Sequence, residues 1–296
     1  MPVATILITT PVGNVGLETL KAFRYRPERA NVRLLAALRD PTRHQQTLLP
    51  LADATVRFDF ADAGTFDVAL RGVSRVLLVR PPELADVDLY FRPFVVAMRK
   101  AEVEQVVFLS LQGVEKNPVT PHHKIEKLLV ESGLAYTFLR PGFFMQNLST
   151  THRAEIADRS EIYIPAGHGR TSLIDVADIG EVAALVLTNT SGTYLNRAYE
   201  LTGDEALTYA DVADQLSAVL GRRITYRNPS VLAFIWRKWR REKMPFSFVL
   251  IMVALYTVAK LGKAAALTPV FRQLTGHAPR TFRQFAEANK AVWAKP

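Results

Sequence analysis

Short apolar runs alternate with longer stretches of helical spacing through the first 140 residues. Ala4–Thr9 is apolar along its whole length and leads through a turn into a helix from about Gly13 to Tyr25. Val32–Leu38 reads as a second strand, and Thr55–Phe60 as a third, with a helix near Ala63–Arg71. Arg75–Arg80 is a fourth strand and Asp86–Ala101 a helix. Gln105–Ser110 is a fifth strand, His122–Ser132 a helix and Ala135–Arg140 a sixth strand. Strands apolar on both faces that alternate with helices predict a parallel sheet covered on both sides. The right-handed crossover rule makes that sheet a doubly wound α/β fold.

The pattern changes after Asn147. Ile162–Pro165 reads as a short strand, Gly167–Gly169 as a turn and Asp175–Thr188 as a helix rich in small apolar residues. Tyr199–Leu201 is one more strand. Thr208–Leu220 is a helix opened by Thr208 and Asp211 and closed by Gly221. The remaining chain is mostly helical, without repeats or low-complexity linkers.

Composition narrows the class. Of 296 residues, 49% are hydrophobic and 22% charged, which fits a globular chain and excludes disorder and collagen-like structure. The absence of cysteine rules out disulfides, thiol nucleophiles, iron–sulfur clusters and cysteine-held zinc. A net charge of +9 favours anionic ligands such as nucleotides, phosphates or acidic surfaces. The opening MPVATILITT has no basic region and too short an apolar run for a signal peptide. The apolar stretch at 246–259 falls short of the roughly 18–20 residues of a spanning helix. A soluble, cytoplasmic protein is expected.

Candidate chemistry gathers at the strand ends. Thr10-Pro11-Val12-Gly13-Asn14-Val15-Gly16 carries the first strand into a helix, where glycine lets backbone approach a pyrophosphate at free N–H groups. Thr10 stands where a first glycine would be expected, and Thr10 with Pro11 narrows that approach. The other reading is a turn that only packs the helix. Arg39 ends the second strand, with Arg43 nearby. An arginine there favours the 2′-phosphate of NADP(H) over NAD(H), against a plain surface arginine. Asp59 accepts from an adenine amine or caps the next helix. Arg80, before Pro81 and Pro82, meets a phosphate or acidic substrate, or faces water. His122 and Glu126 share a helix face, as an acid–base pair or a surface salt pair. The remaining histidines are scattered and no HExxH occurs, so no metal site is expected. No GxSxG elbow occurs either.

These residues resemble the NmrA-like branch of the atypical short-chain dehydrogenase/reductases. The resemblance rests on ILITTPVGNVG at 6–16, LRDP at 38–41, HHKIEKLLVESGLAYTFLRPGFFMQN at 122–147 and DVADIGEVAALVL at 175–187. It continues with YELTGDEALTYADVADQLSAVLGRRITY at 199–226 and TGHAPRTFRQFA at 275–286. It implies a Rossmann core over 1–150 and 171–203, with a smaller, mostly helical substrate or lid part over 151–170 and 204–296. It also implies an NADPH-dependent reductase of quinones, dyes or other aromatics, or else a non-catalytic NADP(H) sensor. A non-redox enzyme on the same scaffold is a further reading.

Carried over by position, Thr10, Pro11, Val12, Gly13, Asn14 and Val15 form the pyrophosphate loop and Arg39 holds the 2′-phosphate. Asp59 and Phe60 fall near the adenine. Val79, Arg80, Pro81 and Ser110 flank the ribose and nicotinamide, and Pro141, Gly142, Phe143 and Phe144 line the nicotinamide pocket, Phe144 toward the substrate. The short-chain Tyr-x-x-x-Lys pair is missing. Pro118 falls at the tyrosine position and His122 at the lysine position, which leaves His122 as the catalytic candidate.

The segment from Phe234 to Arg241 is basic and holds Trp236 and Trp239. It reads as a lid with Trp236 over a flat anionic substrate, as a membrane-surface or nucleic-acid contact, or as an amphipathic helix with tryptophans inward and arginines in water. The expected partner is a small aromatic substrate. No nucleic acid is expected, peripheral membrane contact remains open, and the protein is a monomer or homodimer.

Overall fold

The structure, a computed structural model, describes residues 4–294. Contacts divide the chain into two units. One runs up to Pro141 and resumes over Val176–Leu201; the other holds Gly142–Asp175 and everything from Thr202.

The first unit is built on a seven-stranded parallel sheet. Its strands are β1 (Ala4–Thr9), β2 (Val32–Leu38), β3 (Ala54–Arg57), β4 (Arg75–Leu78), β5 (Gln105–Leu109), β6 (Tyr136–Pro141) and the returning strand Arg197–Leu201. The spatial order is β3, β2, β1, β4, β5, β6 and then Arg197–Leu201, all paired in parallel. The chain moves outward from β1 in one direction and then, from β4, in the other. The reversal lies between β1 and β4, where such sheets bind ligands at their carboxyl ends.

Alternate side chains face alternate layers. Leu7, Val76, Leu78, Val106, Phe108 and Phe138 join one core with the Arg92–Lys100 and Pro121–Ser132 helices. The Asn14–Phe23 helix packs against the Val176–Thr188 helix, which also meets β4, β5 and β6. A Cβ on Gly180 would lie 2.6 Å from the Glu18 carbonyl carbon and 2.7 Å from the Thr19 amide. Only glycine admits that backbone approach.

Three elements differ from the sequence reading. The helix expected over Asp86–Ala101 is two helices, Val87–Tyr90 and Arg92–Lys100. Pro93 lacks the N–H that a continuous helix needs, and it opens the second helix instead. The third strand stops at Arg57, because Phe58 and Phe60 turn into a cluster with Phe66, Phe91 and Phe94. The fourth stops at Leu78, because the Thr9 side chain takes the Val79 amide.

The second unit buries Ile156, Ile162, Leu216, Phe234, Phe285 and Trp293, among others, in its own core. Phe143–Phe144 pairs in parallel with Thr171–Ile174, and Glu161–Tyr163 with Thr225–Arg227. The Tyr209–Leu220 helix opens with a Thr208–Asp211 capping box and ends at Gly221, φ +66°.

The basic segment is inverted relative to an amphipathic helix with inward tryptophans. Trp236 is 58% and Trp239 38% exposed, while Lys238 is fully buried. Residues Trp236–Arg241 form a π-helical turn, in which the Glu242 amide reaches the Arg237 carbonyl. Carboxylates inside the unit account for the direction. Lys238 Nζ lies 2.8 Å from Glu155 and 2.9 Å from Glu242, and Arg237 pairs with Glu161 and Glu242. His152 bridges Glu155 at 2.7 Å and the Tyr256 hydroxyl at 2.6 Å. A buried charge is retained only when it is paired in this way.

Candidate functional site

Thr10 takes φ +53°, a left-handed conformation unusual for a β-branched residue. Two threonines strap it to the neighbouring strand. Thr9 Oγ1 donates to the Leu77 carbonyl at 2.9 Å and accepts from the Val79 amide at 2.8 Å. Thr10 Oγ1 donates to the Val79 carbonyl at 3.0 Å. Both backbone groups of Val79 are therefore used.

The turn then doubles back closely on itself. A Cβ on Gly16 would sit 2.3 Å from the Thr10 carbonyl oxygen, so glycine is required there. Pro11 is buried, Val12 and Asn14 are exposed, and Val15 is buried. Gly13 precedes the Asn14–Phe23 helix, which has no side-chain cap and no acidic residue in its first turn. The first-turn amides of that helix have no intrahelical acceptor, and the dipole adds positive potential. A helix start of this kind, at the point where the sheet reverses, is suited to an anion.

Neighbouring strand ends carry the other candidate residues. Arg39 is exposed and has no ion-pair partner among the described residues. Asp40 turns away to accept from the Thr42 hydroxyl at 2.7 Å and amide at 3.0 Å, and these bonds hold its carboxyl below the usual range. Asp59 accepts from the Ala61 amide at 2.9 Å. The helix cap expected of Asp59 belongs to Asp62, which accepts from Gly64. The Phe60 ring is buried against Phe91 and Phe94, leaving only its backbone to a ligand.

Arg80 follows neither sequence reading. Its guanidinium folds back to donate to the carbonyls of Pro81, Pro82 and Leu84 at 2.9, 3.0 and 2.9 Å. The two prolines leave those carbonyls without helical partners, and the arginine braces the loop. Burial lowers its pKa.

Ser110 follows β5. Its amide donates to the Leu139 carbonyl, but its hydroxyl is buried without a partner among the described residues. Such an orphan is uncommon and fits a group that a ligand satisfies. His122 opens the Pro121–Ser132 helix and stacks on Phe108 at 6.0 Å. Burial, reinforced by the Arg80 charge, lowers its pKa to about 3. It is a neutral imidazole at physiological pH.

The His122–Glu126 pair does not form. Glu126 instead makes a two-pronged bond to Arg140, at 3.0 and 2.7 Å, and Arg140 also reaches Glu115. A guanidinium fork matches a carboxylate better than an imidazole does. Arg140 was invisible in the i,i+4 spacing because it comes from β6.

Pro141 ends β6 in the first unit. Gly142, Phe143, Phe144 and Trp236 belong to the second. Phe143 and Phe144 are half-buried in their short strand.

A family model for the NmrA-like family matches residues 2–275. The NAD(P)H azoreductase of Xenophilus azovorans is 31% identical over 298 residues, covering 97% of this chain and 99% of that protein. Prestalk A differentiation protein A of Dictyostelium discoideum is 28% identical over 284 residues, covering 96% and 91%. Among solved structures, the NADPH-dependent quinone oxidoreductase QOR2 of Escherichia coli, complexed with NADPH, gives a TM-score of 0.84 at 24% identity, covering 96% of this chain and 99% of that one.

Proposed function

The chain belongs to the NmrA-like family, and from that premise we propose that it is an NADP(H)-dependent reductase of a small aromatic or quinone-like molecule. The observation that carries the reading is the uncapped helix start at Gly13–Gly16, set at the reversal of the sheet. The relative named as an azoreductase and the neighbour named as a quinone oxidoreductase support the acceptor class.

In this reading the turn Thr10, Pro11, Val12 and Gly13 presents the Asn14 and Val15 amides to the pyrophosphate. Arg39, free at the end of β2, pairs with the 2′-phosphate. Asp59 and the Phe60 backbone flank the adenine. Val79, Pro81, Pro141 and the Ser110 hydroxyl, unpartnered among the described residues, are assigned to the ribose and nicotinamide. Arg80 positions its loop and leaves phosphate binding to Arg39. Bound NADPH supplies a hydride.

His122 holds a ribose hydroxyl or polarises the acceptor as a neutral hydrogen-bond donor. Pro118 stands at the position of the short-chain tyrosine and has no proton to give. That disfavours simple carbonyls. A quinone or azo acceptor spreads the developing charge and takes its proton from water.

Cofactor fluorescence titration with NADPH and NADH is the direct test. NADPH should bind in the micromolar range and NADH more weakly. Arg39→Ala should cost NADPH about 10–100-fold in affinity, the worth of a charge-assisted hydrogen bond, and leave NADH unchanged. Turnover is then read as NADPH oxidation with quinones and azo dyes. Absence of binding by the folded protein would sink the reading. The same Pro118 favours a second reading, a non-catalytic NADP(H) sensor, for which NADPH binds but no acceptor in the panel is reduced.

A further inference from the structure

Residues 231–267 carry an apolar surface set among cations. The Phe246–Lys260 helix turns Val249, Met252, Tyr256 and Ala259 into the second core. Its outer side is apolar as well: Leu250, Ile251, Leu255 and Val258 are all exposed. Trp239 packs on Phe246 at 5.1 Å and joins this surface. A soluble helix normally turns charge to water on its outer face. A contiguous apolar patch of this kind marks an interaction site.

The exposed charges of the segment itself have one sign. Arg240, Arg241, Lys243, Lys260 and Lys263 are exposed, and none has an ion-pair partner among the described residues. The only carboxylate in the segment, Glu242, is already held by Arg159, Arg237 and Lys238. The inward pairing of Arg237 and Lys238 is what turns the tryptophans outward.

We propose that this face docks the protein on an anionic lipid bilayer surface. The helix has 15 residues, about 22 Å at 1.5 Å per residue, too short to cross a core of about 30 Å but suited to lie in the interface. Tryptophan prefers that interface, and lysine and arginine add attraction to acidic headgroups. A second copy of the chain fits poorly. A two-fold contact would set these cations against their own copies with no carboxylate between them. The proposal stands apart from the reductase reading, because it is measured without cofactor or acceptor.

The experiment is sedimentation of the full chain with vesicles of phosphatidylcholine and phosphatidylglycerol in equal parts, and with phosphatidylcholine alone. The protein should pellet with the anionic vesicles and be released at about 0.5 M salt, where charges a few ångströms apart are screened. The Arg240→Glu, Arg241→Glu double variant should lower partitioning on the order of 100-fold. Leu250→Asp should weaken it too, with thermal midpoint and circular dichroism unchanged. Any of three results overturns the proposal: folded protein that stays in solution with both vesicle types, pelleting that ignores headgroup charge, or a dimer that Leu250→Asp dissociates.

Discussion

Lys238 shows how much one residue can reorganise. It is fully buried and holds Glu155 and Glu242 together, and Glu155 in turn holds His152. Burial pushes the Glu155 carboxyl up, but His152 and Lys238 outweigh it and hold the group below its ordinary value. Removing one partner of such a set leaves the others as unpaired buried charges. Lys238→Met should therefore cost about 3–5 kcal/mol, and Glu155→Gln a similar amount. The double variant should cost less than their sum, since each already breaks the same contact. Urea unfolding of the three proteins measures this; simple additivity would show that the pair is not coupled.

Elements report how far the sequence carries. The apolar runs mark β2 at both ends, Val32 and Leu38. Thr208, Asp211 and Gly221 mark both ends of their helix through local hydrogen bonds. The close turn after β1 is legible because glycine spacing and strand–turn–helix order are local properties. The partners of Glu126 and Lys238 are not, since Arg140 and Glu155 are brought to them by elements folded up from elsewhere. The π-helical turn is equally hidden, because it answers to buried carboxylates on other elements. The Val176–Thr188 helix illustrates both sides. Its small residues are visible in sequence, but only the structure shows Gly180 against the Glu18–Thr19 backbone. Alanine is the better helix former by about 1 kcal/mol. Gly180→Ala should nevertheless destabilise the protein by about 1–3 kcal/mol, because backbone atoms cannot move aside. A urea midpoint at or above that of the parent would refute the close approach.

At the scale of the whole molecule, acid stability is set partly by two histidines kept neutral. Burial lowers the pKa of both His122 and His152, the former to about 3 against an ordinary 6.5. Below that ordinary value the unfolded chain takes up protons that the folded chain refuses. Stability is then fully present above 6.5 and is lost as pH falls toward 3. His122→Gln should flatten the fall in thermal midpoint over this window by about one proton's worth. An unchanged slope would mean that His122 titrates normally in the fold. The same neutrality predicts no loss of reductase activity between about pH 6 and 8 from His122 itself. A loss tracking the ordinary histidine pKa, and abolished in His122→Gln, would contradict it.

The first unit is discontinuous in the chain. It leaves off at Pro141 and is completed by Val176–Leu201, which brings the cover for the Asn14–Phe23 helix and the last strand beside β6. Synthesis therefore delivers six strands with one layer unroofed. The part of the second unit that intervenes must emerge before the roof arrives. Until then Leu77, Val107 and Leu139, fully buried in the finished fold, have no partners from that helix. The nascent chain thus has a window of stickiness whose length is set by translation, and which closes only when the Val176–Thr188 helix leaves the ribosome.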